Sequence, residues 1–169
     1  MTAEPPAWDA ADRAGSFARY AEWLNEKARF TFLSAGFHAE MFFFMRADGQ
    51  GGMGMPPKGM DRDRVVAMLR QTIRANDIYG IVHICEAWTL FPKRPKDHTF
   101  KQVLDGEIAV SELRPEDRTE ALTVRMESRD GASHLWLSPI MRTNLGVALA
   151  DAIDWKEPTG GRFSGLFRT

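Results

Sequence analysis

An imidazole, a thiol and a carboxylate, each able to move a proton or attack an electrophile, stand close together at His83, Cys85 and Glu86. The segment around them, residues 81–90 (IVHICEAWTL), is dense in β-branched and aromatic side chains. It predicts a central strand buried on both faces. An ionised carboxylate in such a strand is costly unless it is paired, or unless its pKa rises until it stays neutral. Glu86 is therefore the residue with most to explain, and two roles compete for it. In the first it forms a structural ion pair with an arginine from a neighbouring connection. Arg118 is the expected partner, with Arg62 and Arg64 in reserve; such a pair can be bidentate, and losing one side leaves a costly lone charge. In the second, Glu86 is a general base of raised pKa, working with His83 or His38 in a small hydrolase or lyase. The structural pair is the favoured reading.

His83 and Cys85 should share one side of the strand, opposite Val82, Ile84, Glu86 and Trp88. An imidazole activates a thiol only within hydrogen-bond reach. Side chains two residues apart on a strand leave the backbone about 7 Å apart. The expectation is thus a buried structural cysteine rather than an activated pair. His38, Glu40, His83, Cys85, Glu86, His98, Glu127 and His134 are available as metal ligands. They match no known ligand spacing, so neither a metal nor a cofactor is expected. His38 and Glu40 share a strand face, and strand pairing could bring His83 near them.

Two further motifs carry less. Gly49-Gln-Gly-Gly-Met-Gly54 matches the dinucleotide pattern in letters. However, six residues with two prolines separate it from Asp61, the N-cap of the next helix, so the glycines miss the helix N-terminus that phosphate binding needs. Residues 47–60 read instead as a mobile loop, in which Met53, Met55 and Met60 could contact a protein partner. Lys93, Arg94, Lys96 and Lys101, flanked by Phe91 and Phe100, are the only basic cluster and could hold nucleic acid. Asp105, Glu107, Glu112, Glu116, Asp117 and Glu120 follow closely and neutralise it, so nucleic-acid binding is not the expectation.

The elements that position these side chains follow from periodicity. Residues 1–15 are expected to be flexible, and residues 16–169 to form one domain. From Ser16, Phe17, Tyr20, Ala21, Leu24 and Ala28 recur at helical spacing as far as a glycine cap at Gly36. Residues 37–46 read as a buried strand. A helix from Asp61 carries the stripe Val65, Met68, Leu69 and Ile73 and ends at Gly80. Strand, helix, strand predicts a βαβ unit with parallel pairing. A short helical piece falls near 100–104. Residues 120–129 and 134–142 alternate about an Asp130-Gly131 turn and predict a hairpin. Residues 145–155 fit helix and strand equally, and residues 162–167 could add an edge strand. The expected fold is α+β: an N-terminal helix, a βαβ unit and a hairpin extending one mixed sheet, with helices mainly on one face.

Composition bounds the function classes. The 169-residue chain is 44% hydrophobic and 27% charged, with net charge −1 and one cysteine. No global field draws it to nucleic acid or an anionic membrane. It cannot form an internal disulfide, and a reducing cytoplasm fits best. The most apolar run, residues 41–45, is far too short to span a bilayer. The Glu86-Ala-Trp88 triplet, the stretch Arg114-Pro-Glu-Asp-Arg-Thr-Glu-Ala-Leu122 and the Asp130-Gly131 turn together resemble a group of small bacterial and phage-associated α+β proteins to which no activity is assigned. The resemblance implies the architecture and favours the Glu86–Arg118 link; it supplies no chemistry. With no complete catalytic signature, the sequence points to a non-catalytic accessory or interaction protein, with a protein partner or a second copy of the chain, and no membrane.

Overall fold

The computed structural model describes residues 4–91, 97–156 and 163–167. Three helices are present, α1 (Arg13–Ala35), α2 (Arg62–Ala75) and α3 (His98–Leu104). The strands are β1 (Met41–Arg46), β2 (Gly51–Gly54), β3 (Ile78–Thr89), β4 (Thr119–Ser128), β5 (Ser133–Thr143), β6 (Gly146–Leu149) and β7 (Ile153–Trp155). They form one curled antiparallel sheet in the order β2-β1-β3-β4-β5-β6. The outer edge of β5 is shared, with β7 beside Leu135–Leu137 and β6 beside Ile140–Thr143. Among the described residues, no helix is long and apolar enough to cross a membrane.

The α+β class is as expected, but the strand arrangement corrects the βαβ reading. β1 and β3 pair antiparallel, Phe42 opposite His83 and Phe44 opposite Ile81. The reason lies in the glycine-rich stretch. Gly51–Gly54 is not loop but a strand that folds back on β1, reversing the chain before α2 begins. The crossover through α2 therefore joins β2 to β3, which run in the same direction with β1 inserted between them. Residues 145–155, ambiguous by periodicity, form the two short strands β6 and β7. Residues 163–167 make turns rather than an edge strand.

Helices cover both faces, a second correction. α1 packs its stripe Phe17, Ala21, Leu24, Ala28 and Phe32 onto Val82, Ile84, Leu122, Val124 and Met126. On the opposite face α2 sets Val65, Leu69 and Ile73 against Phe42 and Ile81, while α3 sets Phe100 and Leu104 against Leu135 and Leu137. Both faces of β1 and β3 carry buried apolar side chains, so a single layer could not bury them. The capping follows side-chain chemistry. Asp12, four residues earlier than the expected Ser16, caps α1 by accepting from the Gly15 amide. Asp61 caps α2 as expected, accepting from the amides of Asp63 and Arg64. Gly36, at φ 78°, ends α1 with its amide on Phe32 O, a left-handed turn that favours glycine.

Gly80 is tied to this packing. A Cβ built there would lie 2.3 Å from Phe17 Cζ, and Phe17 is fully buried. Gly80→Ala is expected to destabilise the fold by about 1–3 kcal/mol through overpacking, read as a lowered urea midpoint. An unchanged midpoint would show that the Phe17 ring yields freely.

Candidate active site

Between α2 and α3 the sheet is left open, and β3 and β4 form the floor of a cleft. Ladder pairing sets His83 opposite Arg125 and Cys85 opposite Thr123. All four side chains line a cavity of about 210 Å³, whose far wall is Val103, Leu104, Leu135 and Leu137. The polar centre of the sheet is thus held where two helices fail to meet.

His83 is fixed on every side. Its ring stacks on Phe42, centroids 4.5 Å apart, and lies 4.7 Å from Phe163. Nε2 sits 3.0 Å from Glu40 Oε1, where an Nε2–H donates to the carboxylate. Glu40 is held in turn by the Arg62 guanidinium, which also lies 5.7 Å from the Phe163 ring. Phe163 is positioned by Glu127, whose carboxylate accepts from the amides of Gly165 (2.8 Å) and Leu166 (3.0 Å).

Cys85 follows His83 by two residues on the same face of β3, as the alternation of the strand requires, and the imidazole and thiol influence each other electrostatically. Cys85 Sγ also lies 3.1 Å from Thr123 Oγ1, and that hydroxyl donates to the Cys85 carbonyl at 3.0 Å. Burial alone would push the thiol up; the neighbouring His83 imidazole and the Thr123 hydroxyl together hold it below its ordinary value. Burial likewise would push the imidazole down, but the neighbouring Cys85 and Glu40 hold it above its ordinary value. The His83 hydrogen bond is also the main reason the Glu40 carboxyl lies low, with Arg62 adding to it. Both shifts in the Cys85–His83 pair favour a thiolate beside an imidazolium.

Glu86 projects from the other face of β3. Its Oε1 accepts from the His38 amide and its Oε2 from Arg142 Nη2 at 2.9 Å. Arg142 also holds Glu120 (2.8 Å from Nε) and donates to Gly36 O at 3.1 Å. The expected partner is therefore replaced: Arg118 donates instead to the carbonyls of Leu113 and Ser111. β5 continues to Thr143 and carries Arg142 past the end of α1, a reach that no spacing rule gives. His38 Nδ1 is 2.7 Å from Ala39 O, and it is the His38 backbone, not its ring, that meets Glu86. His83 and Glu86 are on opposite faces, so they do not form a catalytic pair.

The remaining candidates separate. Gly49 lies in the β1–β2 turn and Gly51 and Gly54 within β2, away from any helix N-terminus. Met53 and Met55 are exposed, at 70% and 62%. With Met60, Met55 borders a wider depression of about 510 Å³ on the other side of Glu40. Lys101 lies on α3 with its ammonium 2.7 Å from Asp105; Lys93, Arg94 and Lys96 lie outside the described residues. His134 is bonded to Asp154 and stacks on Trp136. Among the described residues, no group of three or more His, Cys, Asp or Glu side chains is placed to hold a metal ion.

Sequence reasoning missed Thr123, Arg125 and Arg142. For the first two the signal was present, since residues 120–129 alternate and the hairpin register sets Thr123 and Arg125 on one face. The proximity of Glu40 to His83 was anticipated, but through parallel pairing instead of the antiparallel register found here. Comparison of the chain with protein-family models, with curated proteins and with solved structures gives no match.

Proposed function

We propose that the chain is a small cysteine-dependent enzyme of the acyl-transfer and hydrolysis class, with Cys85 as nucleophile, His83 as its base and Glu40 orienting the imidazole. The observation that carries this reading is the placement of three groups: Glu40 lies 3.0 Å from His83 Nε2, and His83 and Cys85, two residues apart on one face of β3, both line the same cleft. Nucleophile, base and orienting acid within mutual reach are the requirement for thiol catalysis. In the reaction, Sγ adds to a substrate carbonyl carbon while His83 holds the thiol proton. The tetrahedral adduct collapses, the leaving group departs with that proton, and an acyl-thioester remains on Cys85. Water, deprotonated by His83, then releases the acid and restores the thiol. Thr123 and Arg125 line the same cavity as the thiol. Glu86 takes no part. A thiolate of this kind persists in a reducing compartment, which supports a cytoplasmic setting.

The test is incubation with short acyl esters and thioesters, followed by intact-protein mass. An acyl adduct on Cys85 that is absent from Cys85→Ser supports the reading; no adduct and no turnover across both substrate types would sink it. The pH profile of alkylation by iodoacetamide gives a second measure. A thiol held below its ordinary value stays ionised as pH falls, so Cys85 should keep reacting where free cysteine has stopped. Its rate should decline only when acid protonates the thiolate. A profile superimposable on that of free cysteine would contradict a thiol held low by His83.

A non-catalytic interaction role is supported by a different observation. Met53 and Met55 are exposed beside the outer edge of β2. Phe30, Leu33, Phe37 and Leu145 are also exposed, near the end where Arg142 joins β5 to α1. Self-association or partner capture lost in a Met53→Ser, Met55→Ser variant would favour that role.

A further inference from the structure

We infer that the cleft selects a substrate carrying a short, unbranched acyl chain, and that the walls built by α3 and β5 set the length it accepts. This inference rests on the cysteine-enzyme reading and adds the substrate class. Among the described residues, the polar side chains that line the cavity all come from β3 and β4, on the floor around the thiol. What α3 and β5 contribute is aliphatic throughout: Val103, Leu104, Leu135 and Leu137. A site polar at one end and aliphatic at the other matches a carbonyl followed by a hydrocarbon tail. Ala87, the next residue on the Cys85 face of β3, brings only a methyl group to the lining, so the floor stays low on that side of the thiol.

The ladder fixes the length. Cys85 faces Thr123 across β3 and β4, and Thr123 faces Leu137 across β4 and β5. Two strand spacings therefore separate the thiol from the aliphatic wall, roughly 10 Å in all. With carbon–carbon bonds of about 1.5 Å, an extended acyl chain of roughly six to eight carbons covers that distance. The far end is closed. Leu104, Leu135 and Leu137 are buried, and β7 lies against β5 behind them, Trp155 beside Leu135 and Ile153 beside Leu137. A cavity of about 210 Å³ is smaller than the roughly 300–1,000 Å³ of sites for drug-sized ligands, and it leaves no room for a long lipid tail.

Hydrolysis of a series of p-nitrophenyl esters, from acetyl to decanoyl, tests this directly. In each, Sγ displaces p-nitrophenolate to leave an acyl-thioester, and water then releases the acid and restores the thiol. For the wild-type chain kcat/KM is expected to rise about threefold per added methylene up to roughly six to eight carbons, the worth of burying each one, and to fall beyond. Val103→Phe should move the optimum toward shorter chains and lower the hexanoyl-to-acetyl ratio about tenfold. An unaltered profile in a folded Val103→Phe would remove α3 from the wall and overturn the inference. Should that variant not fold, protection of the wild-type thiol against iodoacetamide serves instead: hexanamide should protect, and acetamide and decanamide should not. A decanoyl or benzoyl ester preferred over hexanoyl would overturn the short, straight-chain assignment. Turnover that ignores chain length would overturn the inference and leave the thiol enzyme standing. No acyl-enzyme and no turnover with any ester, together with no protection by hexanamide, would overturn both.

Discussion

Replacing His83 with phenylalanine is expected to slow alkylation of Cys85 at neutral pH by about 10²- to 10⁴-fold, the usual share of a positioned base. Phenylalanine keeps the ring between Phe42 and Phe163, so the cleft retains its packing. What disappears is the positive charge beside the thiol that stabilises its thiolate. Burial is then opposed by the Thr123 hydroxyl without help from the imidazole, and the thiol pKa should move up, carrying the pH at which alkylation begins up with it. Glu40→Gln should act in the same direction by a smaller factor, because it removes the carboxylate that holds the imidazolium without removing the imidazole. Competition-based rate measurements with iodoacetamide across pH check both variants. An unchanged rate in His83→Phe would show that Cys85 is packed rather than activated.

Glu86→Ala is expected to destabilise the fold by about 2–3 kcal/mol, somewhat less than a fully buried ion pair because Arg142 keeps contact with water. The side chain of Glu86 is 19% exposed and that of Arg142 43%. Removing the carboxylate strips the His38 amide of its acceptor and one of the two acids from Arg142. The connection between α1 and β1 then loses one of its attachments to the sheet, keeping those of Gly36 and Glu40. Glu86→Gln should be milder, since an amide oxygen can still accept from the His38 amide. Denaturant unfolding measures the stability. Alkylation of Cys85 should stay at the wild-type rate in both variants, because Glu86 and Cys85 emerge on opposite faces of β3. A variant with full stability and a dead thiol would reverse the assignment of scaffold and chemistry.

Local pattern carried the sequence reading a long way. The helical stripe of residues 65–73, the Asp61 cap and the hairpin around Asp130-Gly131 are each set by neighbours in the chain. β2 was hidden because four residues with three glycines have little intrinsic strand preference; its pairing with β1 comes from the partner strand. Once β2 is overlooked, β1 and β3 appear joined by a simple crossover and the direction of pairing is misread. The partner of Glu86 was equally illegible. Arg118 is the nearer arginine in sequence, yet the length of β5 delivers Arg142. For the thiol, the sequence already put His83 and Cys85 on one face of the strand, while the contact with Thr123 depends on the register of β4.

The antiparallel insertion of β1 between β2 and β3 also governs when Glu40 can reach His83 during folding. β1 with β2, and β4 with β5, are hairpins that close over short stretches of chain. Zipping β1 onto β3 must wait for α2 to be spanned, and such non-local closure is the slow part of assembling a sheet. Glu40 comes from the segment just before β1, whereas His83 and Cys85 come from β3. A nascent or partly opened chain therefore holds His83 without its carboxylate partner until β1 has paired with β3.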